Sequence, residues 1–159
     1  MEPDPWQVDY LRSTEDTILL CSRQSGKSTT TAFLAGHDAI YNAGSLTLLL
    51  SPSLRQSSEL FRKVMASYNA AGRPVPTKQE SALQLELTNG SRIVSLPGKE
   101  ETIRGYSGVD LLIADEASRI PDIMGGIRKR KAPIAKVLNR NAILSAVINS
   151  ELSAARSIL

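Results

Sequence analysis

Apolar and polar positions alternate in blocks along the chain. A short apolar run at residues 17–22, Thr-Ile-Leu-Leu-Cys-Ser, has the length of a β-strand and leads at once into a Gly/Ser turn. Residues 27–41 are helix-compatible, and Asn42-Ala43-Gly44 stops them. Residues 45–51, Ser-Leu-Thr-Leu-Leu-Leu-Ser, are apolar enough for a strand buried on both faces, as in a parallel sheet. Pro52 breaks that strand, and Ser53 is placed to cap a helix over residues 54–71, whose Leu54, Phe61, Val64, Met65 and Tyr68 recur on one face before Gly72.

Farther on, Leu83, Leu85 and Leu87 alternate with polar residues, Asn89-Gly90 supplies a turn, and residues 92–96 return, which predicts a β-hairpin. Leu111-Leu112-Ile113-Ala114 is a third buried-type strand, ending in Asp115-Glu116. Strands alternating with helices of this length predict an α/β fold with a mostly parallel sheet flanked by helices and one hairpin. Ligands are then expected beyond the carboxyl ends of the strands.

The candidate chemistry lies at two of those strand ends. Cys21-Ser22-Arg23-Gln24-Ser25-Gly26-Lys27-Ser28 matches the phosphate-loop pattern in its last three residues, with Cys21 in place of the first glycine. Gly26 permits close backbone approach, Lys27 reaches β- and γ-phosphates, the Ser28 hydroxyl suits Mg²⁺, and the helix start adds free N–H groups. Asp115, at the end of a buried strand, stands where a cation beside such a loop must be held; Glu116 suits the base that orients or deprotonates water. Read alone, Asp115-Glu116 also fits the acidic start of a following helix. Arg23 is either a guanidinium aimed at the transferring phosphoryl group or a solvated charge. Arg104 contacts nucleic-acid phosphates, senses nucleotide, or is plain surface. Trp6 and Gln7 form either an adenine shelf or a hydrophobic anchor for the N-terminal arm. His37 is a helix residue, and Cys21 is packing rather than a nucleophile.

Composition removes other classes. The chain has 159 residues, 42% hydrophobic and 22% charged, enough for a single core. No apolar run approaches the roughly 18–20 residues of a membrane span. The acidic, Pro-rich start carries no secretory signal, so a cytoplasmic protein is expected. One cysteine and one histidine leave no disulfide and no His/Cys metal cluster. The formal net charge of +3 hides an asymmetry: through residue 123 there are 12 Lys+Arg against 15 Asp+Glu, and after it 7 against 1. All aromatic residues lie at or before Tyr106.

Taken together, these motifs resemble the ATPase domain of the tailed-phage terminase large subunit, the motor that packages DNA into procapsids. The likeness covers residues 3–122. Pro5-Trp6-Gln7 is similar to the adenine-contacting segment. Residues 21–29, including Ser22, Arg23, Gln24, Ser25 and Thr29, resemble the family's variant phosphate loop with an Arg-Gln pair before Gly-Lys. Residues 49–57 are similar to the next helicase-type motif, and Ile103-Arg104-Gly105 with residues 111–117 to the stretch ending in Asp-Glu-Ala.

The resemblance implies a P-loop NTPase of RecA/helicase-like type that binds ATP and Mg²⁺. By the same resemblance Lys27 and Ser28 bind phosphate and Mg²⁺, Arg23 acts in cis on the γ-phosphate, Asp115 holds Mg²⁺, and Glu116 is the catalytic base. Implied partners are double-stranded DNA, the portal protein, the terminase small subunit and further copies of the full-length chain. The family continues past residue 123 with another strand and then a nuclease domain. Here Met124-Gly125-Gly126-Ile127-Arg128-Lys129-Arg130-Lys131 runs instead into residues 132–159. The expectation is therefore a partial ATPase domain over 1–123 and a basic tail over 124–159, helical or disordered, as in an interrupted or frameshifted product. A helicase-like ATPase and an inactive fragment that only binds nucleotide or DNA are the alternatives.

Overall fold

The computed structural model of the chain describes residues 2–13, 17–19, 21–22, 24–98, 105–120 and 135–138. Seven strands among them form one sheet in the order β1-β7-β6-β2-β5-β4-β3. These are β1 Thr17–Leu19, β2 Leu46–Ser51, β3 Thr77–Glu80, β4 Gln84–Leu87, β5 Arg92–Pro97, β6 Leu111–Asp115 and β7 Ala135–Leu138. From β1 through β7, β6 and β2 to β5 every neighbouring pair is parallel. The β5-β4 and β4-β3 pairs are antiparallel. All five parallel strands thus bring their carboxyl ends to one edge.

The α-helices are α1 Pro5–Arg12, α2 Lys27–Tyr41 and α3 Leu54–Ala70. All three contribute to one core cluster, in which Ala32 and Ala35 of α2 and Leu60, Phe61 and Val64 of α3 meet Leu49, Ile93, Leu111 and Ile113 of the sheet. Gly36 of α2 faces α3, where a β-carbon would lie in ordinary contact, 3.6 Å from Ser67 Oγ. The opposite face buries Leu48, Leu50, Val94, Leu112 and Ala114 under Val109, Ala117 and Ile120. Odd-numbered positions of β2 and β6 therefore face the helices and even-numbered ones face away, the period-2 consequence of a pleated strand.

Local chemistry explains the boundaries. Ser53 is extended at the start of α3, and its hydroxyl accepts from the Gln56 backbone N–H at 3.3 Å, a cap worth about 1 kcal/mol. The far end of α2 is closed from a distance: Asn89 Nδ2, in the turn between β4 and β5, donates to the carbonyls of Ala39 and Ile40 at 2.9 and 3.4 Å. Gly90, at φ +87°, makes that turn possible.

Three elements differ from the sequence expectation. The Pro-rich start folds as α1, with Pro5 at its first position and the Asp4 backbone N–H donating to Gln7 Oε1 at 3.0 Å. The hairpin is widened by β3, an exposed strand with no apolar alternation. In the stretch expected as a helical or disordered tail, residues 135–138 are strand β7, inserted between β1 and β6. That insertion supplies a strand where the sequence reading expected the family's next strand to be lacking. The rest of 124–159 lies outside the described residues. No helix among the described residues is long and apolar enough to cross a membrane.

Gly98, just past β5, is required by space rather than by φ. A β-carbon there would sit 2.5 Å from Ile120 Cγ2. Gly98→Ala is expected to cost about 1–3 kcal/mol by overpacking. In urea denaturation the losses from Gly98→Ala and Ile120→Ala should be less than additive in the double variant, since the second removes the side chain the first strikes; a Gly98→Ala variant of native stability would refute the contact.

Candidate functional site

The parallel edge gathers the candidate residues. Leu50 pairs with Ala114 in register, so the next positions, Ser51 and Asp115, end β2 and β6 side by side. Both are odd-numbered and face α2 and α3. The loop after β1 turns into α2 through Gln24 at φ +62° and Gly26 at φ +82°. The Gly26 carbonyl accepts from the N–H groups of Thr29 and Thr30 at 3.0 and 2.9 Å, so the helix begins immediately after the glycine. Ser25 Oγ donates to the Ser22 carbonyl at 3.0 Å and tightens the turn.

Ser28, in the first turn of α2, lies 3.5 Å from the Asp115 carboxylate, Oγ to Oδ2, across 87 residues of sequence. The other carboxylate oxygen, Oδ1, is buried and makes no hydrogen bond. Burial pushes the Asp115 carboxyl above its ordinary value, the neighbouring Glu116 charge adds to that, and Lys27 and Lys63 pull in the opposite direction. A half-buried carboxylate beside a hydroxyl at a helix start is a donor set suited to a hard divalent cation. Magnesium typically takes only one or two protein oxygens, with phosphates and water completing its shell. Among the described residues no group of three or more His, Cys, Asp or Glu is available to hold a metal.

Glu116 has φ +50° and ψ +44°, left-handed backbone that a non-glycine residue adopts at a cost of about 1–2 kcal/mol. Its Oε2 accepts from Gln56 Nε2 at 2.9 Å and pairs with Arg119 Nη1 at 3.1 Å. Two elements thus hold the side chain: the first turn of α3 and the 3₁₀ turn Ala117–Arg119. Gln56 stands in the helicase-type motif, where the sequence reading assigns it no role. Its signal is position, in the first turn of the helix after the strand beside β6.

Of the two N-terminal candidates, Gln7 reaches the loop. A β-carbon on Gly26 would lie 3.0 Å from Gln7 Nε2. Trp6 is half-buried and packs against the helix-side core. Cys21 is a free, half-buried thiol. Arg23 and Arg104 lie outside the described residues. Lys27, Ser28, Asp115, Glu116, Gly26 and Gln7 converge on one edge, and the structure adds Gln56 and Arg119 to them.

A glycine-led helix after an edge strand, with a carboxylate ending the parallel strand two places farther into the sheet, defines a P-loop fold. Residues 18–123 match the family described as terminase large subunit, T4likevirus-type, N-terminal. The chain belongs to that family. Its fold is similar to the large terminase ATPase domain of Thermus phage P74-26, with TM-score 0.70, 23% identity, 87% of this chain and 64% of that one covered. It is also similar to the HK97 bacteriophage large terminase, with TM-score 0.73, 19% identity and coverage of 97% and 37%. A third likeness is to the large terminase of a thermophilic bacteriophage in complex with ADP, with TM-score 0.66, 15% identity and coverage of 85% and 38%. The chain spans less than two thirds of the length of each. No curated protein sequence matches it.

The raised Asp115 carboxyl has a defined sign. Its ionised form is disfavoured in the fold, so its contribution to stability rises as pH falls through its folded value toward the ordinary carboxylate range near ~3.9. Asp115→Asn mimics the neutral form. Without nucleotide it should melt higher than the native chain at pH 7, with the gap closing as pH is lowered. A lower midpoint at pH 7 would contradict the assignment.

Proposed function

We propose that this chain is the nucleotide-hydrolysing core of a DNA-packaging motor, catalysing attack of water on the γ-phosphate of ATP. The observation carrying the reading is the Ser28–Asp115 contact at 3.5 Å with Glu116 fixed beside it by Gln56 at 2.9 Å. Membership of the terminase family and the ADP named with the thermophilic phage protein support ATP as the nucleotide.

The roles follow from placement. Gly26 and the N–H groups at the start of α2 would cradle phosphate oxygens, and Lys27 would add charge to the β- and γ-phosphates. Ser22, Gln24, Ser25 and Thr29 complete the loop. Ser28 and Asp115 would hold Mg²⁺, which when bound neutralises charge developing on the phosphates. Glu116 would take or orient the proton of the attacking water, kept in position by Gln56 and Arg119. Gln7 would link α1 to the loop near the base, with Trp6 as anchor or adenine shelf. Arg23 is proposed to act in cis on the γ-phosphate and Arg104 in nucleotide or DNA sensing. Coupling to translocation of double-stranded DNA, with portal protein, small subunit and further copies in the host-cell cytoplasm, is proposed from the family.

Two variants separate binding from chemistry. Lys27→Ala should weaken ATP binding in titration calorimetry by roughly 10- to 100-fold, the loss of one charge-assisted hydrogen bond. Unchanged affinity would sink the phosphate-loop assignment. Glu116→Gln should keep ATP affinity while lowering turnover by about 10²- to 10⁴-fold in a phosphate-release assay. Turnover at the native rate would remove Glu116 from the chemistry.

A further inference from the structure

In the sequence Ser51 is only the end of a strand, and the structure makes it unusual. The residue is 0% exposed, and its hydroxyl has no hydrogen-bond partner. Buried hydroxyls are nearly always paired, because leaving one unpaired forfeits the hydrogen bonds that water would supply. Among the described residues a second such atom lies next to it: Asp115 Oδ1, on the same sheet face at the end of the adjacent strand. The carboxylate feels the backbone N–H of Glu116, and Oδ2 faces Ser28, yet Oδ1 accepts nothing. The two orphaned oxygens do not bond each other. One group able to donate two hydrogens would satisfy both.

We propose that Ser51 belongs to the cation site: its hydroxyl and Asp115 Oδ1 together accept the two hydrogens of one water bound to the divalent cation. The inference rests on the nucleotide reading above and assigns Ser51 as a positioning residue for the cation. A cation-bound water turns its lone pairs to the metal and presents only donors, so two acceptors at adjacent strand ends suit it. Partners in this outer shell orient the inner ligands, and removing one typically weakens metal binding 10- to 100-fold. The placement has a second merit. Ser51 ends β2 and Gln56 lies in the first turn of α3, separated only by Pro52, the Ser53 cap and two residues of that turn. The segment that senses the cation at one end therefore holds Glu116 at the other.

The test uses Mn²⁺ as probe, titrated into the full 159-residue chain saturated with ADP and followed by electron paramagnetic resonance of free Mn²⁺. Ser51→Ala should weaken Mn²⁺ binding by roughly 10- to 100-fold, while ADP affinity in EDTA stays at the native value. Without ligand the variant should melt at or above the native midpoint, because it deletes an unpaired buried hydroxyl. Native-like Mn²⁺ affinity in Ser51→Ala would overturn the assignment alone. So would a lower ligand-free midpoint, since the hydroxyl would then be serving the fold. Failure of the native chain to bind Mn²⁺ with ADP would instead overturn the nucleotide reading, and this inference with it.

Discussion

Everything at the functional edge depends on the parallel register of β6 against β2. Thr47 lies opposite Leu111 and Leu50 opposite Ala114, so both strands finish together. Parity matters as much as length: Leu49, Leu111 and Ile113 enter the helix-side core, and the same alternation turns Asp115 toward α2. A slip of one residue would carry Asp115 to the other face and Leu112 into the helices. The register is held by buried side chains that leave no room for a slip, Leu48, Leu49, Leu50 and Ile113 being at most 1% exposed. Hydrophobic packing in the middle of the sheet thus sets the distance between a hydroxyl and a carboxylate at its rim.

Away from that rim the chain follows ordinary rules of satisfaction. Caps close α2 and α3, and Ser91, Ser95 and Ser57, all buried, find backbone carbonyls. At the rim several rules are broken within a few residues: a carboxylate whose charge is disfavoured, a hydroxyl without partner, and a glutamate in left-handed backbone. Such local conflicts collect at functional sites because a binding surface must leave groups unsatisfied until its ligand arrives. Gln56 and Arg119 constrain Glu116 from two sides, which is how a strained residue stays in one conformation.

The legible parts were those whose signal is local. Four consecutive buried apolar positions identify β6, and the Pro52-Ser53 punctuation separates β2 from α3. The turn into α2 was visible because Gly26, Lys27 and Ser28 are contiguous. What escaped depends on distant partners. β3 carries Thr-Lys-Gln-Glu with no apolar alternation and exists because β4 offers it an edge. β7 contains Lys136 and follows a run of four basic residues, so its setting reads as a solvated tail; pairing with β1 on one side and β6 on the other makes it a strand. α1 had its proline and its aspartate cap in plain view, but the Pro-rich context suggested an arm. Gln56 and Ser51 are polar residues whose surroundings are decided by what lies opposite them.

The left-handed turn at Glu116 sets backbone strain against side-chain placement at a single residue. Glycine there would relieve about 1–2 kcal/mol of backbone strain, as would asparagine to a lesser degree. Either would also release the hydrogen bond from Gln56 and the ion pair with Arg119, removing the carboxylate that stands beside Asp115. Keeping glutamate there leaves the strain in place and holds a carboxylate beside Asp115, so at residue 116 the backbone and the side chain favour different amino acids.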